Sequence, residues 1–165
     1  MTTVYLAGPI TITNWEGANA WRELATETLR GKGLGVRDPL RGKATLQKRL
    51  EGKTFEHGWN GDGYKGLAGL EAAITSGHAI TRRDMNDVLN SDVLLAFLVE
   101  TERPSIGTIM EIAWAYLANK YVILVMSEGN PHWHGMVREA ASCVVSNLAD
   151  GIHAAVIYAE GRDDD

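Results

Sequence analysis

Pro104-Ser-Ile-Gly-Thr-Ile-Met-Glu-Ile-Ala-Trp-Ala-Tyr116 follows the apolar run from Asp92 to Glu100, and the two together decide the fold. The run has the length and the Val/Leu content of a strand buried on both faces. Pro104 and Gly107 punctuate a turn, after which Thr108 to Asn119 predicts a helix. Ile109, Met110, Ile112, Ala113, Trp114, Ala115, Leu117 and Ala118 cover nearly all of its faces, so it must be covered on more than one side. Its only charged residue is Glu111. One reading makes Glu111 the partner of an N-cap Thr108 in a capping box. The other makes it a carboxylate presented where a strand feeds a helix, at the carboxyl edge of a parallel sheet, where open α/β sheets bind ligands. The two readings are compatible, because a capped carboxylate is also a positioned one.

Working outward, Thr81 to Asn90 predicts a helix with Ile80, Met85, Val88 and Leu89 on one side. Asp84 and Asp87 lie three apart on it and are surface neighbours. Asp84 sits near the helix start, where a solvated negative charge suits the dipole. Val4 to Ile10 predicts a strand closed by Gly8-Pro9, and Asn14 to Arg30 a helix ended by Gly31, Gly33 and Gly35. A weak strand at Leu34 to Val36 stops at Asp38-Pro39. Tyr121 to Met126 and Cys143 to Ser146 complete five strands, with helices expected at Met136 to Ser142 and Leu148 to Ala159. Arg162 to Asp165 reads as a solvated tail. Between about residues 39 and 78 the periodicity dissolves into a glycine-rich stretch, read as a loop over the sheet edge that lids a pocket, or as a disordered insertion.

Strands alternating with helices argue for a parallel sheet with right-handed crossovers. The expected architecture is an α/β, flavodoxin-like three-layer sandwich, its five-stranded parallel sheet ordered 2-1-3-4-5 and its switch point between strands 1 and 3. That order brings Tyr5 to Pro9 beside the Ser105–Glu111 turn. Tyr5 is then either a core tyrosine with a satisfied hydroxyl or a member of a site.

Composition narrows the function classes. The chain has 165 residues, 45% of them hydrophobic, enough for one ordinary domain spanning 1–165. Net charge is −5 with no basic run longer than Arg82-Arg83, which argues against a nucleic-acid polymer as partner. The single Cys143 reads as a core residue and fits a reducing, cytoplasmic compartment. No apolar run nears the ~18 residues of a membrane span. No G-x-G-x-x-G follows strand 1 and no Walker motif exists, so dinucleotide and P-loop chemistry are not indicated. His132 and His134 lack a third ligand at zinc spacing, so no metal and no cofactor is expected.

Tyr5-Leu-Ala-Gly-Pro9, Arg83-Asp84-Met85 and Ser105-Ile-Gly-Thr-Ile-Met-Glu111-Ile-Ala-Trp-Ala-Tyr116 together resemble the nucleoside 2-deoxyribosyltransferase family. The resemblance runs nearly end to end, through Asp38-Pro-Leu-Arg-Gly-Lys43 and Asn130-Pro-His-Trp-His-Gly-Met136. It implies an oligomeric enzyme that cleaves the N-glycosidic bond of a nucleoside or nucleotide. Glu111 matches the nucleophile that attacks C1′, Asp84 the carboxyl group that handles the proton at the leaving base, and Tyr5 the tyrosine that hydrogen-bonds the nucleophile. Gly8, Pro9, Ser105, Gly107, Asn130, His134 and Met136 match substrate-binding positions. The Asn130–Met136 stretch would reach a neighbouring subunit's pocket in a homodimer or higher oligomer, His134 meeting the sugar end. The implied partners are the nucleoside or nucleotide and a free base.

One departure bears on the substrate. Nucleoside-specific relatives carry aspartate six residues before the nucleophile, whereas this chain carries Ser105. Aspartate repels a phosphate and serine accommodates one. Deoxyribosyl transfer between bases and hydrolysis of nucleoside 5′-monophosphates both follow from the resemblance. A binding module without turnover is the reading from a different class.

Overall fold

The computed structural model describes residues 1–10, 15–41, 69–98 and 102–163. In chain order its elements are β1 (Thr3–Ala7), α1 (Trp15–Gly31), β2 (Gly35–Arg37), α2 (Gly69–Ile74), α3 (Gly77–Leu89), β3 (Val93–Phe97), α4 (Ile106–Leu117), β4 (Tyr121–Val125), α5 (Gly135–Glu139), β5 (Cys143–Val145) and α6 (Leu148–Asp163). The five strands form one sheet in the order β2-β1-β3-β4-β5. Every pairing is parallel, and in register Tyr5 sits opposite Leu94 and Ala7 opposite Ala96. The sequence of elements returns to the far side of β1 at β3, so the switch point lies between those two strands, as expected.

The central strands β3 and β4, and β1 from Val4 onward, are apolar because both faces are covered. Along β1, β3 and β4 alternate residues divide between the two layers. Val4, Leu6, Val93, Leu95, Ile123 and Val125 pack with Trp21, Ala25 and Leu29 of α1 and with Ile152, Ala155 and Ala159 of α6. Tyr5, Ala7, Leu94, Ala96, Val122 and Leu124 pack with Val88 of α3, Ile112 and Ala115 of α4 and Val137 of α5. Tyr5 is thereby committed to the same layer as the helices that carry Asp84 and Glu111. Gly33, at φ +82°, takes the left-handed conformation that closes α1 and lets Leu34 turn back, its N–H bonding the Leu29 carbonyl.

Several element boundaries differ from the sequence expectation. The α4 N-cap is Ser105, not Thr108, and the helix begins at Ile106. Ser105 Oγ accepts from the Thr108 N–H at 3.4 Å and from the Thr108 hydroxyl at 2.9 Å, so Thr108 donates to the cap instead of being one. Glu111 therefore sits in the second turn, and no capping box with Thr108 forms. Helix α3 starts at Gly77, ahead of Thr81, because Ser76 caps it by accepting from the Ala79 N–H. Its two opening residues, Gly77 and His78, are not apolar and do not reveal the period. The span read as patternless contains α2 and the first two residues of α3, while 42–68 lie outside the described residues. Helix α5 opens at Gly135 rather than Met136. Arg162 belongs to α6, where it pairs with Asp92, rather than to a solvated tail.

Candidate active site

The site assembles around the tip of β1. The Tyr5 hydroxyl donates to Glu111 Oε1 at 2.6 Å, and both residues are buried. Burial, then the nearby charges of Glu111 and Asp84, raise the Tyr5 phenol well above its ordinary value. It therefore remains protonated and keeps donating. Two carboxylates from different helices thus act electrostatically on a single hydroxyl.

Asp84 is held by its neighbour Arg83. Arg83 Nε and Nη2 both donate to Asp84 Oδ1, at 3.1 and 2.8 Å. The same Nη2 donates to the Pro39 carbonyl at 2.9 Å, tying α3 to the turn that follows β2. One turn further along α3, buried Asp87 accepts from Arg37 and Arg41. That network anchors Arg41 to α3, on the β2 side of the sheet.

Beyond Ala7 the chain passes through buried Gly8 and Pro9. A Cβ on Gly8 would lie 2.8 Å from the Phe97 carbonyl oxygen and 2.9 Å from the Trp21 ring, so only glycine fits. The Gly8 carbonyl accepts from Arg22 Nη2 at 2.9 Å. Arg22 is fully buried, with Nη1 on the Ala18 carbonyl and Nε 3.6 Å from Asp38 Oδ1. Burial lowers its pKa, an effect opposed by Asp38 and then Glu111.

The loop after β4 supplies the remaining wall. His132 is buried, and its Nε2 accepts the Ser105 N–H at 2.7 Å. Because a backbone amide only donates, Nε2 carries the lone pair and Nδ1 the hydrogen, which points to Asn130 Oδ1 at 2.9 Å. Burial lowers the His132 pKa and so favours this neutral ring. Asn130 Oδ1 also accepts the His132 N–H, and Asn130 Nδ2 donates to the Leu98 carbonyl. His134 and Met136 are exposed, and His134 caps α5 by accepting the Met136 N–H at 3.3 Å. Gly107 is exposed, with open space where a side chain would be. Among the described residues no three His, Cys, Asp or Glu side chains cluster to hold a metal, and no helix is long and apolar enough to cross a membrane.

The fold agrees with that of known proteins. The model of the nucleoside 2-deoxyribosyltransferase family matches residues 4–149. The chain belongs to that family. It is accordingly an enzyme of the nucleoside 2-deoxyribosyltransferase family. Among solved structures, the 2-deoxyribosyltransferase of Leishmania mexicana superposes with a TM-score of 0.61 at 14% identity, over 94% of this chain and 97% of that one. The CMP N-glycosidase of Clostridium botulinum superposes with a TM-score of 0.56 at 17% identity, over 95% of this chain and 99% of that one. At these identities the likeness is one of fold. No curated protein sequence matches the chain.

The structure thus gathers Tyr5, Asp84 and Glu111 around one point and sets Ser105 and Gly107 at the start of the helix that carries Glu111. It leaves His134 and Met136 on the outside and gives Asn130 partners within its own loop. Reading the sequence missed three side chains. Arg22 had a visible signal: Ala18, Arg22, Ala25 and Leu29 share one helix stripe, and a charge on a buried stripe needs partners. Arg83 and His132 showed only half of theirs: Asp84 and Asn130 are close in sequence, but the Pro39 carbonyl and the Ser105 N–H are not.

Proposed function

We propose that this enzyme cleaves the N-glycosidic bond of deoxynucleosides through a covalent glycosyl ester on Glu111 and transfers the deoxyribosyl group to a second base. The observation that carries the reading is the buried 2.6 Å hydrogen bond from Tyr5 to Glu111 Oε1. It fixes the orientation of the carboxylate that attacks C1′. In the first step a bond forms between a Glu111 carboxylate oxygen and C1′ and the C1′–N bond breaks, and the departing base takes a proton delivered through Asp84. In the second step the nitrogen of an incoming base, or water, attacks C1′ from the vacated side, gives up its proton to Asp84 and releases the Glu111 carboxylate. Two inversions give net retention, the logic of a retaining glycosidase. The ionised carboxylate also stabilises the positive charge that develops at C1′. No metal or cofactor is called for.

A second reading, hydrolysis of nucleoside 5′-monophosphates, is supported by Ser105 at the N-cap of α4. Thr108 directs its N–H to Ser105 Oγ, and Ser105 directs its own to His132. The Ile106 and Gly107 N–H groups, which have no acceptor within the helix, are then the donors oriented toward an anion at the helix start. The proposed assembly is a homodimer or higher oligomer with shared active sites.

The test is base release from a panel of nucleosides and their 5′-monophosphates, with and without an acceptor base, read by chromatography. The wild type should release base, and folded Glu111→Ala should retain less than about 1% of that rate, as expected on losing a nucleophile. Base release undiminished in Glu111→Ala would remove Glu111 from the mechanism. New nucleoside appearing with added base marks transfer, and free sugar phosphate marks monophosphate hydrolysis.

A further inference from the structure

The connection between β3 and α4 is clamped at both ends by a single loop. Leu98, just past β3, gives its carbonyl to Asn130 Nδ2. Asn130 Oδ1 takes the Nδ1–H of His132, and His132 Nε2 takes the N–H of Ser105, the α4 N-cap. An N-cap amide has no partner within its own helix, so an outside acceptor must satisfy it when it is buried. His132 supplies that acceptor from a wholly enclosed position, with both ring nitrogens engaged.

We propose that His132 is a positioning residue for substrate specificity: through the Ser105 N–H it fixes the α4 N-cap, and so sets how the enzyme holds the 5′ end of its substrate. This rests on reading Ser105 as the residue that meets the 5′-oxygen or 5′-phosphate. The Thr108 hydroxyl and N–H both point at Ser105 Oγ, so the Ser105 hydroxyl hydrogen is directed away from them. Where it points depends on the backbone at residue 105, and His132 holds that backbone. Glu111 has its own anchor in Tyr5, one and a half turns further along the helix. Loosening the N-cap therefore reaches the 5′ end of the substrate before it reaches C1′.

The experiment compares three substrates that share one base: a 2′-deoxynucleoside, its 5′-monophosphate, and the analogue lacking the 5′-oxygen. His132→Phe keeps a planar aromatic ring, somewhat larger, and removes both polar atoms. His132→Gln places an amide oxygen near the position of Nε2, and His132→Asn does not reach it. His132→Phe and His132→Asn should lower kcat/KM about tenfold on whichever substrate carries the preferred 5′ group, mainly through KM, the scale of one good hydrogen bond. On the analogue without the 5′-oxygen the loss should stay below about threefold, and His132→Gln should recover most of the activity. If His132→Phe fails to fold, the comparison of Gln with Asn decides the matter. Equal losses on all three substrates, or a Gln variant no better than Asn, would overturn the proposal. Ser105→Asp, assayed in parallel, separates the two layers. If it changes the 5′ preference and the His132 variants do not, the positioning role falls alone. If it leaves the preference unaltered, the reading of Ser105 falls and takes this inference with it.

Discussion

Ser105 occupies the one position where a family resemblance and a local physical rule make different demands. As an N-cap, aspartate serves as well as serine. As a neighbour of a 5′-phosphate it does not. A carboxylate about 4 Å from one negative charge costs about 1 kcal/mol even in bulk water, and more in a partly closed crevice. Ser105→Asp is therefore expected to leave the stability of α4 nearly unchanged while lowering kcat/KM for a monophosphate at least about fivefold more than for the parent nucleoside. Steady-state kinetics on the matched pair measure this. Equal effects on both substrates would show that residue 105 does not read the 5′ end, and would favour the nucleoside-transfer reading. The Asp38–Lys43 stretch offers two cations for a phosphate contact, Arg41 and Lys43. Arg41 is paired with Asp87, and Lys43 lies outside the described residues.

The elements were readable in the sequence where burial was uniform and obscure where caps decided the matter. The apolar runs of β1, β3 and β4 and the glycines that end α1 gave the strand count, the sheet order and the switch point. The same order placed Tyr5 beside Glu111, which the 2.6 Å contact bears out. The starts of α3 and α4 depended on Ser76 and Ser105, whose hydroxyl contacts leave no periodic trace. The environment of Gly8 was equally hidden, because a glycine before a proline reads only as a turn. In the structure it lies in a three-way junction of the β1 tip, the β3 carbonyl of Phe97 and the Trp21–Arg22 corner of α1. Gly8→Ala must displace backbone or ring atoms now under 3.0 Å from the added carbon. A loss of about 1–3 kcal/mol is expected, the usual cost of overpacking. Activity should fall with it, since the same tip carries Tyr5. Urea denaturation provides the measurement. A change below about 0.5 kcal/mol would mean that the junction yields freely, contrary to the close contacts of its backbone and aromatic atoms.

The outer surface of α4 bears on assembly. Ile106, Met110, Ala113 and Leu117 recur at helical spacing, and all four are exposed, Ile106 at 77% and Leu117 at 86%. The sequence led to the expectation that a helix so apolar would be covered on more than one side. Among the described residues, the sheet covers the face with Ile112 and Ala115. A stripe of this kind at helical spacing is what a partner helix buries. Met136, exposed at the start of α5, adds to the apolar surface of the chain. A second copy of the chain is the proposed cover, and a symmetric pair would set stripe against stripe. Light scattering at micromolar concentration should then report a dimer or larger. Leu117→Asp combined with Met110→Asp should shift the mass toward the monomer, because each buried charge would face an apolar neighbour. Neither side chain belongs to the chain's own core clusters, so the monomer should stay folded by circular dichroism. If neighbouring subunits complete one another's pockets through His134 and Met136, base release should fall at least about tenfold with dissociation and recover as protein concentration rises. A fully active monomer would overturn the shared-site assembly while leaving the roles of Glu111 and Tyr5 intact.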